Sequence, residues 1–457
     1  MKSNKTLIPV IGALVLSLVC NVSAGEKLKV FILAGQSNTV GHARGHTIAT
    51  LYKNGMSKDA ALTQMVFTED MGKAFDEQLA RARKIDELSG GIGFPKIKAM
   101  ADGPEKKALQ AQVDELLEAH AAYKEKAIHA CAVSDRVYIA SIADSNKKSG
   151  KLGVGYGADN LKIGPEYGFG LSMAQKVKGP ILLVKASWGG KSLMYDFRPP
   201  SAADFKSTKA YADAKAKAEA NLVKYKEAVK NFPETEKKYA ADLADYQGKM
   251  KTADEKTKKK LREPRKPNLP REPKPFSQDD AGHFWREMVK HVNDVLADPK
   301  KHHPSYDAAQ GYEIAGFVWF QGFNDQFNDH FKANYKDNMV AFIKDVRKEY
   351  KTPKMPFVIG VLGTPKTKEK VAENAVSVAQ REAAAVPEFK GNVVAVESYT
   401  EQALDSWEVY DAGWPKNYYE WNLVGSDRPY HYLGAGKFFV RLGVAFATAM
   451  AGMIPKQ

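Results

Sequence analysis

The residues best suited to chemistry in this 457-residue chain stand where apolar runs give way to small polar loops. The run VFILA ends at Gly35-Gln36, and Ser37 follows at once. A serine is a weak nucleophile by itself; it needs a base to accept its proton and donors to hold an oxyanion. Donors are expected from other strand ends. Ile181–Ala186 runs into Ser187-Trp188-Gly189-Gly190, where glycine lets the backbone approach a ligand and aim an N–H at it. A third run ends at Phe320 and enters Gln321-Gly322, whose side-chain amide is a second donor candidate. Asn324 and Asp325 follow in the same loop, with Asp325 open to ligand contact or helix capping. Of ten histidines, His431 precedes the last helical stretch and is placed to swing an imidazole over these loops. Asp427 stands four residues before it and Arg428 three before. Pro429 argues against a plain helical turn, so the imidazole is oriented either by Asp427 through another loop shape or by a backbone carbonyl.

These loops need a frame. Val30–Ala34, Val137–Ile142, Pro180–Ala186, Ile314–Phe320, Met355–Leu362 and Asn392–Val396 are short, mostly apolar runs separated in several places by helical patterns. That alternation predicts a three-layer α/β/α fold with a central parallel sheet covered on both faces. Open α/β folds place their sites at the carboxyl ends of the strands, where Ser37 would sit. The stretch LGAGKFFVRLGVAFATAMAGM repeats apolar residues at helical spacing and should pack on the sheet.

Two segments interrupt this pattern. Residues 47–129 read as a helical insertion. Residues 205–275 carry apolar residues at alternating three and four spacing on either side of Pro233, which predicts a helical hairpin. The end of that segment, KKKLREPRKPNLPREPKPF, reads as extended. Residues 205–275 also hold most of the charge: 20 Lys plus Arg against 11 Asp plus Glu, so +9 of the chain's +14. A solvated arm explains this charge, as does a contact with an acidic polymer. Nucleic acid is not expected, because no nucleic-acid module is present.

Residues 1–24 carry Lys2 and Lys5, an apolar run and the small-residue site Val22-Ser23-Ala24, which reads as a secretory signal peptide. The chain is therefore expected to be secreted or periplasmic, with no stable membrane insertion after cleavage. The expected α/β frame then runs over 25–204 and 276–457 around the 205–275 insertion. Cys131 would remain as the sole cysteine, read as a buried thiol. There is no HExxH, paired CxxC or P-loop, so neither metal nor cofactor is expected.

The ordered motifs resemble the SGNH hydrolases, within them the sialate O-acetylesterase and carbohydrate acetylesterase branch. LAGQSN is similar to the first block, ASWGG to the second and WFQG to the third, and IGPEYGFG resembles a further block of the branch. The resemblance implies a flavodoxin-like SGNH fold and a serine esterase acting on acetylated glycans. It implies Ser37 as nucleophile and His431 as base. The oxyanion hole would comprise Ser37, Gly189 or Gly190, and Gln321. Gln36, Asn38, Asn324 and Asp325 would lie near the substrate, with Trp188 offering a flat face for a sugar ring. The family's final block is Asp-x-x-His; here Arg428 replaces the Asp, leaving Asp427 to complete a triad. That departure keeps open a catalytically impaired, carbohydrate-binding protein on the same fold.

Overall fold

In the computed structural model, residues 25–53, 59–258 and 261–455 are described; the signal-peptide reading of 1–24 lies outside them. Nine strands form among the described residues: β1 (Leu28–Gly35), β2 (Ala43–Arg44), β3 (Val137–Ala143), β4 (Asn146–Lys151), β5 (Lys162–Ile163), β6 (Ile181–Ser187), β7 (Tyr312–Phe320), β8 (Phe357–Val361) and β9 (Val393–Glu397). Seven make one sheet in the order β4-β3-β6-β1-β7-β8-β9, and β2 pairs with β5 apart from it. The segment β6-β1-β7-β8-β9 is parallel throughout and, counted in chain order, reads 2-1-3-4-5, the flavodoxin-like arrangement. Its topological switch point lies between β1 and β7, where Ser37 and Gln321 emerge.

The edge departs from the parallel expectation. β3 adds parallel to β6, but β4 folds back antiparallel on β3. The β4 sequence, NKKSGK, has no apolar run to announce a strand. Lysines along an edge strand oppose pairing with another chain, so the composition that hid β4 suits its position.

Alternation along β1 divides the core. Phe31 and Leu33 face a cluster that includes Phe169 and Leu171 of the helix Pro165–Lys176, and Phe438, Phe439 and Leu442 of the helix Gly436–Met453. Val30, Ile32 and Ala34 face the opposite cluster. That cluster includes Met288 and Val292 from His283–Ala297, Met339 and Phe342 from Asp329–Glu349, and Val376 from Ala375–Ala384. This is the three-layer sandwich, with a β1 strand buried along its whole length.

The 47–129 insertion is helical, chiefly Gly72–Ser89 and Pro104–His129, which close a small core of Ile85, Ile97 and Val113. The expected hairpin in 205–275 does not form. Lys209–Thr252 is a single helix of 44 residues that runs through Pro233, about 66 Å at 1.5 Å per residue. Proline removes one backbone bond, and the strong helix formers on both sides sustain the element. The supposed seam has no second helix to cover it: Leu222, Val223 and Val229 are exposed, and Ala210 alone in this helix is buried. Residues 261–277 take neither helix nor strand, as the proline content predicts.

Candidate active site

β1 and β7 approach so closely at their carboxyl ends that position 35 admits only glycine. Gly35 has φ +155°, and a Cβ there would stand 2.2 Å from the Phe320 carbonyl oxygen. Beyond it, Ser37–Val40 forms one helical turn, pinned by the Thr39 hydroxyl donating to Phe320 O at 2.7 Å. The far end of this turn is held from below. Lys185, fully buried on β6, donates to Val40 O (2.8 Å), Tyr156 O (2.7 Å) and Glu166 Oε2 (2.7 Å). Glu166, also fully buried, accepts the Gly164 N–H at 2.8 Å with its other oxygen. Burial pushes the Lys185 pKa down and that of Glu166 up, and their pairing opposes both shifts. Thus a buried ion pair positions the turn that carries Ser37. The sequence displays both residues, in LLVKASWGG and IGPEYGFG, yet nothing in either string marks them as partners.

The imidazole arrives by a loop, not a helical turn. Leu433 N–H donates to Arg428 O (3.1 Å), while Ser426 and Asp427 N–H groups donate to Leu433 O (2.8 and 3.0 Å). Tyr432 and Leu433 adopt left-handed φ values of 49° and 60°, each costing about 1–3 kcal/mol. Tyr432 anchors the loop: its hydroxyl accepts the Gly363 N–H at 2.9 Å and meets Ser398 Oγ at 3.0 Å, and its ring stacks on Phe438. In this closed loop the His431 Nδ1 lies 3.2 Å from Asp427 Oδ1. Asp427, not a backbone carbonyl, is therefore the group beside the imidazole.

A residue not singled out from sequence completes this corner. His42 stacks on His431 with centroids 3.9 Å apart and planes 6° from parallel, and its Nδ1 lies 3.3 Å from Asp427 Oδ2. One carboxylate thus serves two imidazoles. Burial raises the pKa of Asp427, but hydrogen bonds from His42, His431 and the Arg428 N–H outweigh it and hold the carboxylate well below its usual range. Burial lowers the His431 pKa, opposed by the Asp427 hydrogen bond and reinforced by the charge of His42. Among the described residues, His42, Asp427 and His431 also form a group with metal-ligand types, their atoms within 4.8 Å of one another. Both Nδ1 atoms face the carboxylate oxygens, from rings 6° from parallel.

The serine turn and the histidine loop adjoin. Asn38 Nδ2 donates to Tyr430 O at 3.2 Å, and His42, five residues after Ser37, lies on the His431 ring. Ser37 is 9% exposed, and its hydroxyl makes no hydrogen bond to any described residue.

The donor assignments change. Gln321 is almost fully buried; its Nε2 donates to Asp325 Oδ2 (2.6 Å), Lys191 O (2.9 Å) and Gln36 Oε1 (3.2 Å), and its Oε1 accepts from Tyr335 (2.9 Å). Its amide is committed inside the protein and is not a free oxyanion donor. Gly189 is committed too, its N–H donating to Asp144 Oδ1 at 2.6 Å. The N–H groups of Ser37 and Gly190 donate to no described residue. Gly190 has φ +69°, a left-handed turn that glycine adopts freely.

The expected substrate contacts are also corrected. Asp325 is fully buried and accepts the N–H groups of Leu193 and Met194 in addition to Gln321. Burial pushes its pKa up to about 7, against those hydrogen bonds. Gln36 accepts from the Gly322 and Asn324 N–H groups at 3.1 and 3.2 Å. Gln36, Asn38 and Asp325 are buried and brace loops to one another. Trp188 is half-buried and packs against Phe197 and Phe284. Asn324 stays at the rim, its Nδ2 donating to Gly190 O at 2.6 Å. Gln321, Gln36 and Asp325 bond to groups from loops at other strand ends, which strand-by-strand reading does not reveal.

Residues 274–405 match the family described as carbohydrate esterase, sialic acid-specific acetylesterase. The match takes in Gln321, Asn324 and Asp325 and supports the branch that the motifs resemble; Ser37, Asp427 and His431 lie outside its span. A solved protein from Arabidopsis thaliana aligns at 13% identity, covering 82% of this chain and 86% of that chain with a TM-score of 0.33. XAC1771, a carbohydrate acetylesterase from Xanthomonas citri, aligns at 11% identity over 81% of this chain and 49% of that one, TM-score 0.30. NanS aligns at 11% identity over 82% and 78%, TM-score 0.31. No curated protein matches this chain significantly.

Proposed function

We propose that this chain, which carries a carbohydrate-esterase segment on a flavodoxin-like sheet, is an exported serine esterase that removes O-acetyl groups from carbohydrates. The carrying observation is Asp427 beside His431 Nδ1 at 3.2 Å, on a loop bonded to the turn that presents Ser37. Asp427 fixes the proton on Nδ1 and leaves Nε2 to act as base. Ser37 Oγ attacks the acetyl carbonyl as His431 takes its proton. The oxyanion is held by the N–H groups of Ser37 and Gly190. Collapse breaks the ester C–O bond, and the sugar oxygen leaves with the proton from His431. Water, deprotonated by His431, then attacks acetyl-Ser37 and releases acetate.

Export rests on the residue pattern of 1–24; no helix among the described residues is long and apolar enough to cross a membrane. The impaired, binding-only alternative takes its motive from Arg428 in place of Asp and from the large basic arm. Asp427, 3.2 Å from His431 Nδ1, speaks against the first ground. Acetate release from O-acetylated sugars by the wild-type chain and none by Ser37→Ala is the expected result. No release from either, with both proteins folded, would refute the reading.

A further inference from the structure

The exposed helix that leaves residue 209 is fastened at its root beside the active site. An aromatic ladder runs Tyr195–Phe205–Tyr211–Phe276, with centroid distances of 5.5, 5.6 and 5.2 Å. It joins the loop after Gly190, the first turn of the arm and the returning Pro-rich segment. Between these three and the loop after β7 lies a cleft of about 590 Å³, within the ~300–1,000 Å³ usual for small-molecule sites. The cleft reaches Ser192, two residues past Gly190, and Asn324, which donates to the Gly190 carbonyl at 2.6 Å. One end therefore adjoins the donor glycine.

Its lining is mixed. Phe276 and Phe331 supply apolar faces, while Asn221, Asn324 and Asn328 supply amides. Three carboxylates line it, and each has a cation nearby: Asp213 with Lys209 (2.6 Å), Asp280 with Lys274 (2.6 Å) and Asp196 with Lys191 (3.6 Å). Lys217 lines the same cleft, is exposed and makes no ion pair among the described residues. Rings and amides suit a sugar, and an unpaired ammonium suits a carboxylate on it. The surrounding 205–275 segment carries +9 of the chain's +14, which favours a ligand with many negative charges.

We propose that this cleft is a subsite for carboxylate-bearing sugar units of an acidic polysaccharide, with Lys217 pairing to a uronate and the acetylated unit lying over Ser37. The inference rests on the esterase reading for the position of the ester. It assigns the 205–275 insertion a role in gripping polymer next to the reaction centre.

The test separates the two. A polygalacturonate oligosaccharide and a neutral cello-oligosaccharide of equal length are titrated calorimetrically into the Ser37→Ala protein. The acidic chain is expected to bind at least about tenfold tighter, more weakly as salt rises, and Lys217→Glu to remove about five- to tenfold of its affinity. Equal binding of the neutral chain, no effect of Lys217→Glu, or monomeric galacturonate binding as tightly as the oligomer would overturn the proposal. Failure of aryl-acetate hydrolysis in the wild type, with oligosaccharide binding retained, would refute the esterase reading alone. Hydrolysis without acidic-chain preference would refute the subsite alone.

Discussion

The rim around Ser37 and the helical arm at 209–252 occupy adjoining parts of one molecule and are built on opposite principles. At the rim, nearly every polar side chain is buried and bonded to a group from another strand end. Gln321 alone touches Gln36, Lys191, Asp325 and Tyr335. Along the arm, only Ala210 is buried, and the charged pairs are local, such as Lys209 with Asp213 and Lys249 with Asp245. The rim derives its shape from long-range polar bonds and the arm from helix propensity. Substitution should therefore be severe at the rim and mild on the arm, except where the arm meets the cleft.

The sharpest break in that contrast is chemical. Ser37→Ala should lower kcat/KM for an aryl acetate by more than about 10⁴-fold while unfolding stays unchanged. Next in size is the bracing. Asp325→Leu leaves the buried Leu193 and Met194 N–H groups without their acceptor and removes one of the Gln321 amide's three, and should cost about 3–5 kcal/mol in denaturant unfolding. Glu166→Ala strands the buried Lys185 ammonium and should cost a similar amount. Equal stability in either variant would show that the rim is not held by these bonds.

A smaller effect concerns pH. His431 works as a base in its neutral form, and burial with the His42 charge holds its pKa below the ordinary value. The acid limb of kcat/KM should therefore fall below about pH 6.5, with activity lost as pH drops through it. His42→Phe retains a stacked ring, removes one lowering influence and leaves Asp427 to His431 alone. The limb should move to higher pH. An unmoved or lowered limb would break the account of the shared carboxylate. The least effect belongs to the arm: Leu222→Lys and Val229→Lys should change stability by under about 0.5 kcal/mol. A large loss there would mean that the arm is a packed element after all.

Legibility in the sequence follows the same division. The strands were legible because burial on both faces demands continuous apolar runs, as in LKVFILAG. Ser37 and His431 stand in short motifs at strand and helix boundaries, which marks them as candidates. β4 was not, since a polar edge strand lacks that apolar signal. The arm misled because three and four spacing describes any helix with a few apolar residues, paired or not. Gln321 illustrates a subtler limit: its place at the end of β7 was readable, but its amide is claimed by Asp325, whose burial depends on the loop after β6. His42 was invisible for the same reason, since its partner lies 389 positions away in HYLG.

The most direct test of the central claim, that Ser37 and His431 form one nucleophilic centre, is intact-mass and peptide mapping after treatment with a fluorophosphonate. The account predicts a single adduct, located on Ser37, formed much more slowly in His431→Ala. An unmodified folded protein, or an adduct on another serine with Ser37 untouched, would contradict it.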